Sequence, residues 1–184
     1  MNKSIQVPEI PLDGIILKPI TTDLAQEMFQ LRTNEAAMEY INKAKPESIN
    51  DVLEMINGMQ AEFMVKKTMA WAIINLEDNR LAGTVGYYRM LPEHFRAEIG
   101  YMLHPDFWGK GIMQKAITAV IGYGFDELQL HSIEARINPA NEKSRRVLQK
   151  FGFVSEGNLR ESFYFDGQFL DSEVFGLLVT AYRV

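Results

Sequence analysis

The chain passes from a predicted β-strand, Arg96-Ala97-Glu98-Ile99-Gly100-Tyr101-Met102-Leu103, into a predicted helix. A glycine-bracketed loop opens that helix at Trp108-Gly109-Lys110-Gly111-Ile112-Met113. The first amides of a helix have no intrahelical partner, and the helix dipole leaves partial positive charge there. Glycines let backbone N–H groups approach an anion closely. This strand–loop–helix junction is therefore suited to hold a pyrophosphate.

The spacing of Gly109 and Gly111 is weak evidence when taken alone. With 13 glycines in 184 residues, about one Gly-x-Gly is expected by chance, and another one, Gly122-Tyr123-Gly124, lies inside a helical pattern. A tight strand-to-helix turn without a ligand is therefore an alternative interpretation. A dinucleotide fingerprint would need a third glycine where the chain has Gln114, and a Walker loop would need Lys-Ser or Lys-Thr after its last glycine. The sequence supports neither hydride transfer nor ATP chemistry.

Length and composition predict a single domain over residues 1–184. The chain is 47% hydrophobic, which is enough for a sizeable core. Its formal net charge is −5, with acidic and basic residues intermixed, so we expect no nucleic-acid partner and a mild preference for cationic small partners.

The residue types that are missing exclude several kinds of site. The absence of cysteine removes disulfides, thiolate metal sites and a cysteine nucleophile. The histidines His94, His104 and His131 lack metal-ligand spacing, so we expect no metal. No secretory signal is evident at the N-terminus, and no apolar run approaches the length of a membrane span. We therefore expect a cytoplasmic protein without a membrane partner.

Alternating strand and helix patterns predict an α/β fold of the mixed α+β kind. Helices are expected just after Thr22, at about 49–66, along the apolar stripe 113–128, and at 141–150. Strands are expected at 15–20, 69–75, 81–90, 96–103, 132–137, 154–165 and 169–182, the last two joined by the turn Asp166-Gly167. We expect residues 1–14 to be a poorly ordered lead-in. Hairpins and βαβ crossovers then build one mixed, largely antiparallel sheet flanked by helices.

Glu98 is a candidate site residue because a carboxylate in the middle of a strand is costly to bury unless it has a partner. Alternation places Glu98, Gly100 and Met102 on one face of the strand, and Ala97 and Ile99 on the other. A salt-bridged or solvent-facing glutamate explains the same pattern, so both interpretations stay open.

The predicted helix 141–150 offers a second candidate. Ser144 shares a helix face with Val147, Leu148 and Phe151, so it points inward, and Asn141 lies one turn earlier. A core hydroxyl with a satisfied hydrogen bond is the alternative for Ser144.

Four segments in this order resemble the GNAT superfamily of acyl-CoA N-acetyltransferases, in its RimJ/RimL-like branch. They are Ala97-Glu98-Ile99-Gly100-Tyr101, His104-Pro105-Asp106-Phe107-Trp108-Gly109-Lys110-Gly111, Asn138-Pro139-Ala140-Asn141-Glu142-Lys143-Ser144, and Leu148-Gln149-Lys150-Phe151-Gly152-Phe153. The resemblance runs from Ile15 to the end of the chain. It implies a single GNAT-like domain in which a βαβ unit carries the acetyl-CoA site.

The resemblance also implies which residues bind acetyl-CoA as cosubstrate. The loop would hold the pyrophosphate through the backbone of Trp108, Gly109, Lys110, Gly111, Ile112 and Met113. In the superfamily pattern Gln/Arg-x-x-Gly-x-Gly/Ala, Trp108 takes the first position, which is usual in this branch. Met113 departs from the small final residue, so we expect its side chain to turn into the core. Asn141 and Ser144 would contact the pantetheine arm, and Arg145 would reach the phosphates, with Lys143 and Arg146 as competitors.

The resemblance implies acetyl transfer to a primary amine, and the lack of cysteine favours direct attack of the amine on the thioester. We expect Glu98 as general base, Ser144 as general acid toward the departing thiolate, and amides near Met102 and Leu103 polarising the carbonyl. Tyr87, Tyr88, Phe163 and Tyr164 are candidates to line the acceptor side, with ordinary strand packing as the alternative.

The acceptor implied by the resemblance is an amine such as a protein N-terminal α-amine. A polyamine or amino sugar is the alternative acceptor, and a non-catalytic acyl-CoA-binding module is the alternative function. Dimers are common in the family, but no feature of the sequence decides whether this chain forms a homo-oligomer.

Overall fold

The computed structural model describes residues 7–182, and its eight strands form one sheet in the order β1-β2-β3-β4-β5-β6-β8-β7. The strands are β1 Ile10–Leu12, β2 Ile15–Pro19, β3 Met69–Asn75, β4 Leu81–Leu91, β5 Arg96–Leu103, β6 Ser132–Ile137, β7 Val154–Phe165 and β8 Gln168–Leu178. The helices are α1 Ala25–Thr33, α2 Glu35–Met38, α3 Ile49–Met64, α4 Ile112–Asp126, α5 Glu142–Lys150 and α6 Val179–Tyr182. The fold is the expected mixed, largely antiparallel one. Among the described residues, no helix has the length and apolar character that a membrane span requires.

Helices cover both faces of the sheet, so the core has two parts. On one face, α4 and Leu148 of α5 pack against β5 through Ala97 and Ile99. On the other face, α1, α2 and α3 pack around Met102 and its neighbours. The strand alternation predicted for β5 is therefore confirmed. The start of α3 is fixed by a capping box in which Ser48 and Asp51 bind each other's backbone amides.

The expectation of a poorly ordered lead-in is wrong for part of residues 1–14. Residues 1–6 lie outside the described part, but Ile10–Leu12 pairs antiparallel with β2. Trp71 anchors this segment further, because its Nε1 donates to the carbonyl of Pro8 at 2.7 Å. Ile10 and Leu12 pack against the core, and this burial offsets the cost of ordering the segment.

Two short helices also differ from the prediction. α2 was not predicted; Asn34 caps it by accepting from the Ala37 amide at 3.0 Å, and Met38 is buried. The last predicted strand ends at Leu178 instead of residue 182. The chain then turns into α6, where the Val179 amide donates to the His131 carbonyl and Tyr182 packs on the ring of Phe125.

The crossover from β5 through α4 to β6 creates the gap in which the site lies. β5 and β6 run parallel but pair over only three positions, from Arg96↔Ser132 to Glu98↔Glu134. Beyond them, β5 stays paired with β4 as far as Leu103, while β6 stays paired with β8. We call this gap between residues 99–103 of β5 and residues 135–137 of β6 the wedge.

Candidate active site

A cavity of about 790 Å³ occupies the wedge. Its walls come from the end of β5, the loop and first turn of α4, the end of β6, the start of α5, and a segment around α2. The expected site residues that line it are Met102, Leu103, Trp108, Gly109, Gly111, Ile112, Met113, Asn141 and Ser144. Glu98, Lys110 and Arg145, which were also expected, are not among its lining residues.

The glycine loop presents free amides to this cavity. Gly109 and Gly111 have φ of +74° and +72°, a conformation that other residues rarely adopt, and no atom lies within 4 Å of a Cβ built on either one. The glycines are therefore needed for the backbone conformation and not for space. Gly111 is the N-cap of α4, so the amides of the first turn have no intrahelical acceptor. The side chain of Met113 packs partly against the core, as we expected.

The Trp108 side chain lies at the edge of the cavity and is held there by two contacts. Its Nε1 donates to the carbonyl of Leu103 at 2.9 Å, and the Nζ of Lys143 lies 4.3 Å from the centre of its indole ring. Lys110 instead directs its Nζ to the ring of Phe107, at 5.4 Å from the centroid. The Lys143 ammonium is therefore the basic group that lies beside the glycine loop at the cavity.

The pairing of β5 decides which of its amides face the wedge. The His104 amide donates to the Ala82 carbonyl of β4 at 2.8 Å. Because partners alternate along an antiparallel ladder, the Met102 amide is also directed to β4, opposite Thr84. The amides of Tyr101 and Leu103 face the wedge instead. Of the two amides expected to polarise the thioester, the geometry thus supports that of Leu103 and not that of Met102.

Ser144 lies at the start of α5 with both its backbone and its side chain held. Its amide donates to Oδ1 of Asn141 at 3.0 Å, and its Oγ lies 2.6 Å from the hydroxyl of Tyr101. Ser144 is only 8% exposed and its hydroxyl is hydrogen-bonded, yet it also lines the cavity. Both interpretations made from the sequence therefore describe the same side chain. Burial raises the pKa of Tyr101 to about 12, and the hydrogen bond with Ser144 opposes this shift. Tyr101 stays protonated at physiological pH, and sequence reasoning gave it no role.

Arg145 points away from the cavity. Its guanidinium contacts Glu142 at 3.0 Å, Glu173 of β8 at 2.7 Å and the Pro139 carbonyl at 2.8 Å. Of the basic side chains considered for the coenzyme phosphates, Lys143 lines the cavity and Arg145 does not.

Glu98 belongs to an ion-pair network beside the wedge. Its Oε2 lies 3.1 Å from a terminal nitrogen of Arg89 and 3.7 Å from Nε of Arg136. Burial raises the pKa of the Glu98 carboxyl, while both arginines oppose the shift. Arg136 also binds Glu134 at 2.6 Å and lines the cavity, so Glu98 lies one side chain away from it. The salt-bridged interpretation is confirmed; a role in catalysis stays a prediction.

The aromatic candidates for the acceptor side lie elsewhere. Tyr87 is fully buried, and its hydroxyl donates to the Val120 carbonyl at 2.7 Å, so it is a core residue. Tyr88 packs its ring over Gly100. Phe163 and Tyr164 are exposed on the β7–β8 hairpin. The remaining wall of the cavity is formed by α2 and the residues after it; the N-cap residue Asn34 is the signal by which sequence reasoning could have found this helix. Its lining residues are Ala36, Ala37, Glu39, Tyr40 and Ile41.

Comparison with known proteins agrees with this geometry. Residues 15–154 match the family model described as acetyltransferase (GNAT) domain. The uncharacterized N-acetyltransferase YoaA of Bacillus subtilis strain 168 is 34% identical over 171 residues, which cover 93% of this chain and 97% of that protein.

Solved structures share the fold. The crystal structure of RimL, a ribosomal L7/L12 alpha-N-protein acetyltransferase, has a TM-score of 0.85 at 20% identity and covers 97% of this chain and 98% of its own. A spermidine N-acetyltransferase from Vibrio cholerae, crystallised with CoA and spermine, has a TM-score of 0.82 at 23% identity, covering 94% and 100%. Together with the family match and the wedge geometry, these comparisons establish that the chain belongs to the GNAT family and is an acetyltransferase that uses acetyl-CoA.

Proposed function

We propose that this acetyltransferase transfers the acetyl group directly to a primary amine, and that the acceptor is the α-amine of a protein N-terminus. The observation that carries the proposal is the wedge, which brings the first turn of α4, the free edge of β5 and Ser144 to one cavity. An enzyme gains most of its rate in such a reaction by holding amine and thioester together beside groups that stabilise developing charge.

The coenzyme end of the cavity fits a pyrophosphate followed by an extended arm. The free amides after Gly111 and the partial charge of α4 favour an anion. The Lys143 ammonium adds a positive charge beside the same loop. Asn141 uses its side-chain oxygen on the Ser144 amide, which leaves its NH₂ group as the donor toward an arm in the cavity.

The reaction needs two proton movements. The amine nitrogen forms a bond to the carbonyl carbon and loses a proton, while the carbon–sulfur bond breaks with its electron pair on sulfur, which takes up a proton. We assign the Leu103 amide to the carbonyl oxygen, and the Ser144 hydroxyl to a hydrogen bond with the departing sulfur. Glu98 is the proposed base, acting through water because Arg136 lies between it and the cavity.

The charges around the cavity favour a single α-amine over a polyamine. Within residues 7–182, its lining contains one carboxylate, Glu39, together with the basic residues Arg136 and Lys143. A polyamine carries several positive charges and would need several carboxylates to hold it. The apolar residues of α2 suit the first side chain of a peptide instead.

The test is release of CoA thiol from acetyl-CoA with an amine panel: peptides with a free N-terminus, an N-acetylated peptide as blank, spermidine and glucosamine. We expect the highest kcat/KM with a free peptide. Faster turnover of spermidine or glucosamine than of every peptide would reject the acceptor assignment.

The base is tested by Glu98→Gln, which should lower kcat/KM by about a hundredfold if the carboxylate accepts the proton. The matched control is Glu156→Gln, since Glu156 pairs with Arg96 in the same network but at 3.7 Å and away from the cavity. Equal effects of the two variants would reject Glu98 as the base.

A further inference from the structure

Tyr101 and Ser144 form a pair of hydroxyl groups at the wall of the cavity. Tyr101 comes from β5 and Ser144 from α5, so the contact joins the two sides of the wedge. The oxygens lie 2.6 Å apart, and both residues line the cavity. This distance is at the short end for an O–H···O hydrogen bond.

The direction of this hydrogen bond follows from the acidity of the two groups. A phenol is far more acidic than an alcohol, so it is the better donor, and the buried Tyr101 remains protonated throughout the physiological range. Tyr101 therefore donates to Ser144 Oγ. Because one hydroxyl has only one proton, Ser144 is left with its own proton free for an acceptor in the cavity.

The Ser144 oxygen has little freedom to choose another arrangement. Its backbone is held by Asn141, and its side chain is enclosed by α5 and β5. A hydroxyl that already accepts a hydrogen bond is a stronger donor, since bonds in a chain polarise one another. The contact thus determines both where the Ser144 proton points and how strongly it is donated.

We propose that Tyr101 is a positioning residue that holds Ser144 as the hydrogen-bond donor to the sulfur of the coenzyme. The proposal rests on the proposed function. As the carbon–sulfur bond breaks, the electron pair stays on sulfur, and the Ser144 hydroxyl stabilises the developing negative charge. The proton that completes the thiol comes from solvent and balances the one that the amine releases. Tyr101 itself keeps its proton.

The kinetic test uses Tyr101→Phe, Ser144→Ala and the double variant with the best amine of the panel. Tyr101→Phe should lower kcat about tenfold and leave the KM for acetyl-CoA unchanged, because the ring still fills its place. The double variant should be no slower than Ser144→Ala, because Tyr101 acts through Ser144. The proposal would be overturned if the losses of kcat in the two single variants multiplied in the double variant, or if kcat were unchanged in Tyr101→Phe.

Tyr88→Phe is the matched control, since Tyr88 also carries a partly buried hydroxyl, which lies 3.3 Å from Oγ1 of Thr84. It should leave kcat unchanged. A loss of melting temperature shared by both phenylalanine variants, with equal losses of kcat, would indicate a packing role and count against the proposal.

A binding experiment separates this proposal from the proposed function. Calorimetry compares coenzyme A with desulfo-coenzyme A at pH 7 and at pH 10, since only the higher pH ionises a substantial part of the thiol. The wild type should prefer coenzyme A, and Tyr101→Phe should lose most of that preference. If the wild type turned over no amine in the panel, the proposed function would fail while this preference still reported the contact. An equal preference in both proteins would reject the role of Tyr101.

Discussion

The indole nitrogen of Trp108 donates to the carbonyl of Leu103 at 2.9 Å, across the loop that leads from β5 into α4. That carbonyl lies on the edge of β5 that β6 no longer pairs. The bond therefore ties the glycine loop to the free edge, and it holds the proposed phosphate and thioester ends of the cavity in one fixed relation.

The left-handed backbone at Gly111 leads to the first prediction. Replacing it with valine should cost about 1–2 kcal/mol of stability and weaken acetyl-CoA binding at least tenfold, because the loop amides move. Gly14→Val is the matched control. Gly14 has φ of +76° and equally open space, but it lies in the β1–β2 turn. Urea unfolding should find similar losses of stability in the two variants. Calorimetry should find a loss of acetyl-CoA affinity in Gly111→Val alone. Unchanged affinity in that variant would contradict the phosphate assignment of the loop.

Lys143 should contribute to acetyl-CoA affinity in a salt-dependent way. Lys143→Gln should weaken binding several-fold at low ionic strength, with a smaller difference at high salt, because an exposed charge is screened. Arg145→Gln is the contrasting variant. It should lower stability by breaking the contact with Glu173 and leave affinity unaltered. If Arg145→Gln weakened binding more than Lys143→Gln, the assignment of the phosphate contact to Lys143 would be wrong.

Glu98 and Glu134 should affect stability with opposite dependence on pH. Burial raises the pKa of Glu98 above its ordinary value of 4.5, so the folded state binds its proton more tightly than the unfolded state. The stability of the wild type relative to Glu98→Gln should therefore fall as the pH rises from about 4.5 through the raised value.

Glu134 provides the contrast. Burial raises its pKa, but hydrogen bonds from Arg136 and Arg96 outweigh burial and lower it overall. The advantage of the wild type over Glu134→Gln should be present above pH 4.5 and be lost as the pH falls through the lowered value. Urea unfolding at a series of pH values measures the difference in unfolding free energy between the wild type and each variant. If the two differences changed with pH in the same direction, the opposite pKa shifts of Glu98 and Glu134 would be contradicted.

Tyr87 should act on stability alone. Its buried hydroxyl donates to the Val120 carbonyl, so Tyr87→Phe should cost about 1 kcal/mol by leaving that carbonyl without this partner. The KM values for acetyl-CoA and for the amine should stay as in the wild type. A raised KM for the amine would restore Tyr87 as an acceptor residue.

The sequence predicted the elements whose patterns are local. The apolar stripe of α4, the alternation in β5 and the glycine loop follow from spacing and from backbone preferences, and the structure has them where they were expected. β1 and α6 were missed because tertiary contacts form them: β1 depends on pairing with β2, and α6 follows a bond from Val179 to His131.

The site was predicted less completely, for a related reason. Whether a charged side chain reaches the cavity depends on partners that are distant in the chain. Arg145 is drawn away by Glu173 of β8, and Glu98 is enclosed by Arg89 and Arg136. The contact between Tyr101 and Ser144 also joins a strand to a helix that lies beyond two other elements, and no pattern in either segment announces it.

The three positions between β5 and β6 are the only strand pairing, within the described residues, between the strands that precede α4 and those that follow it. A ligand that contacts both margins of the wedge would brace the two halves of the sheet against each other, and the same contacts would arrange the reacting groups.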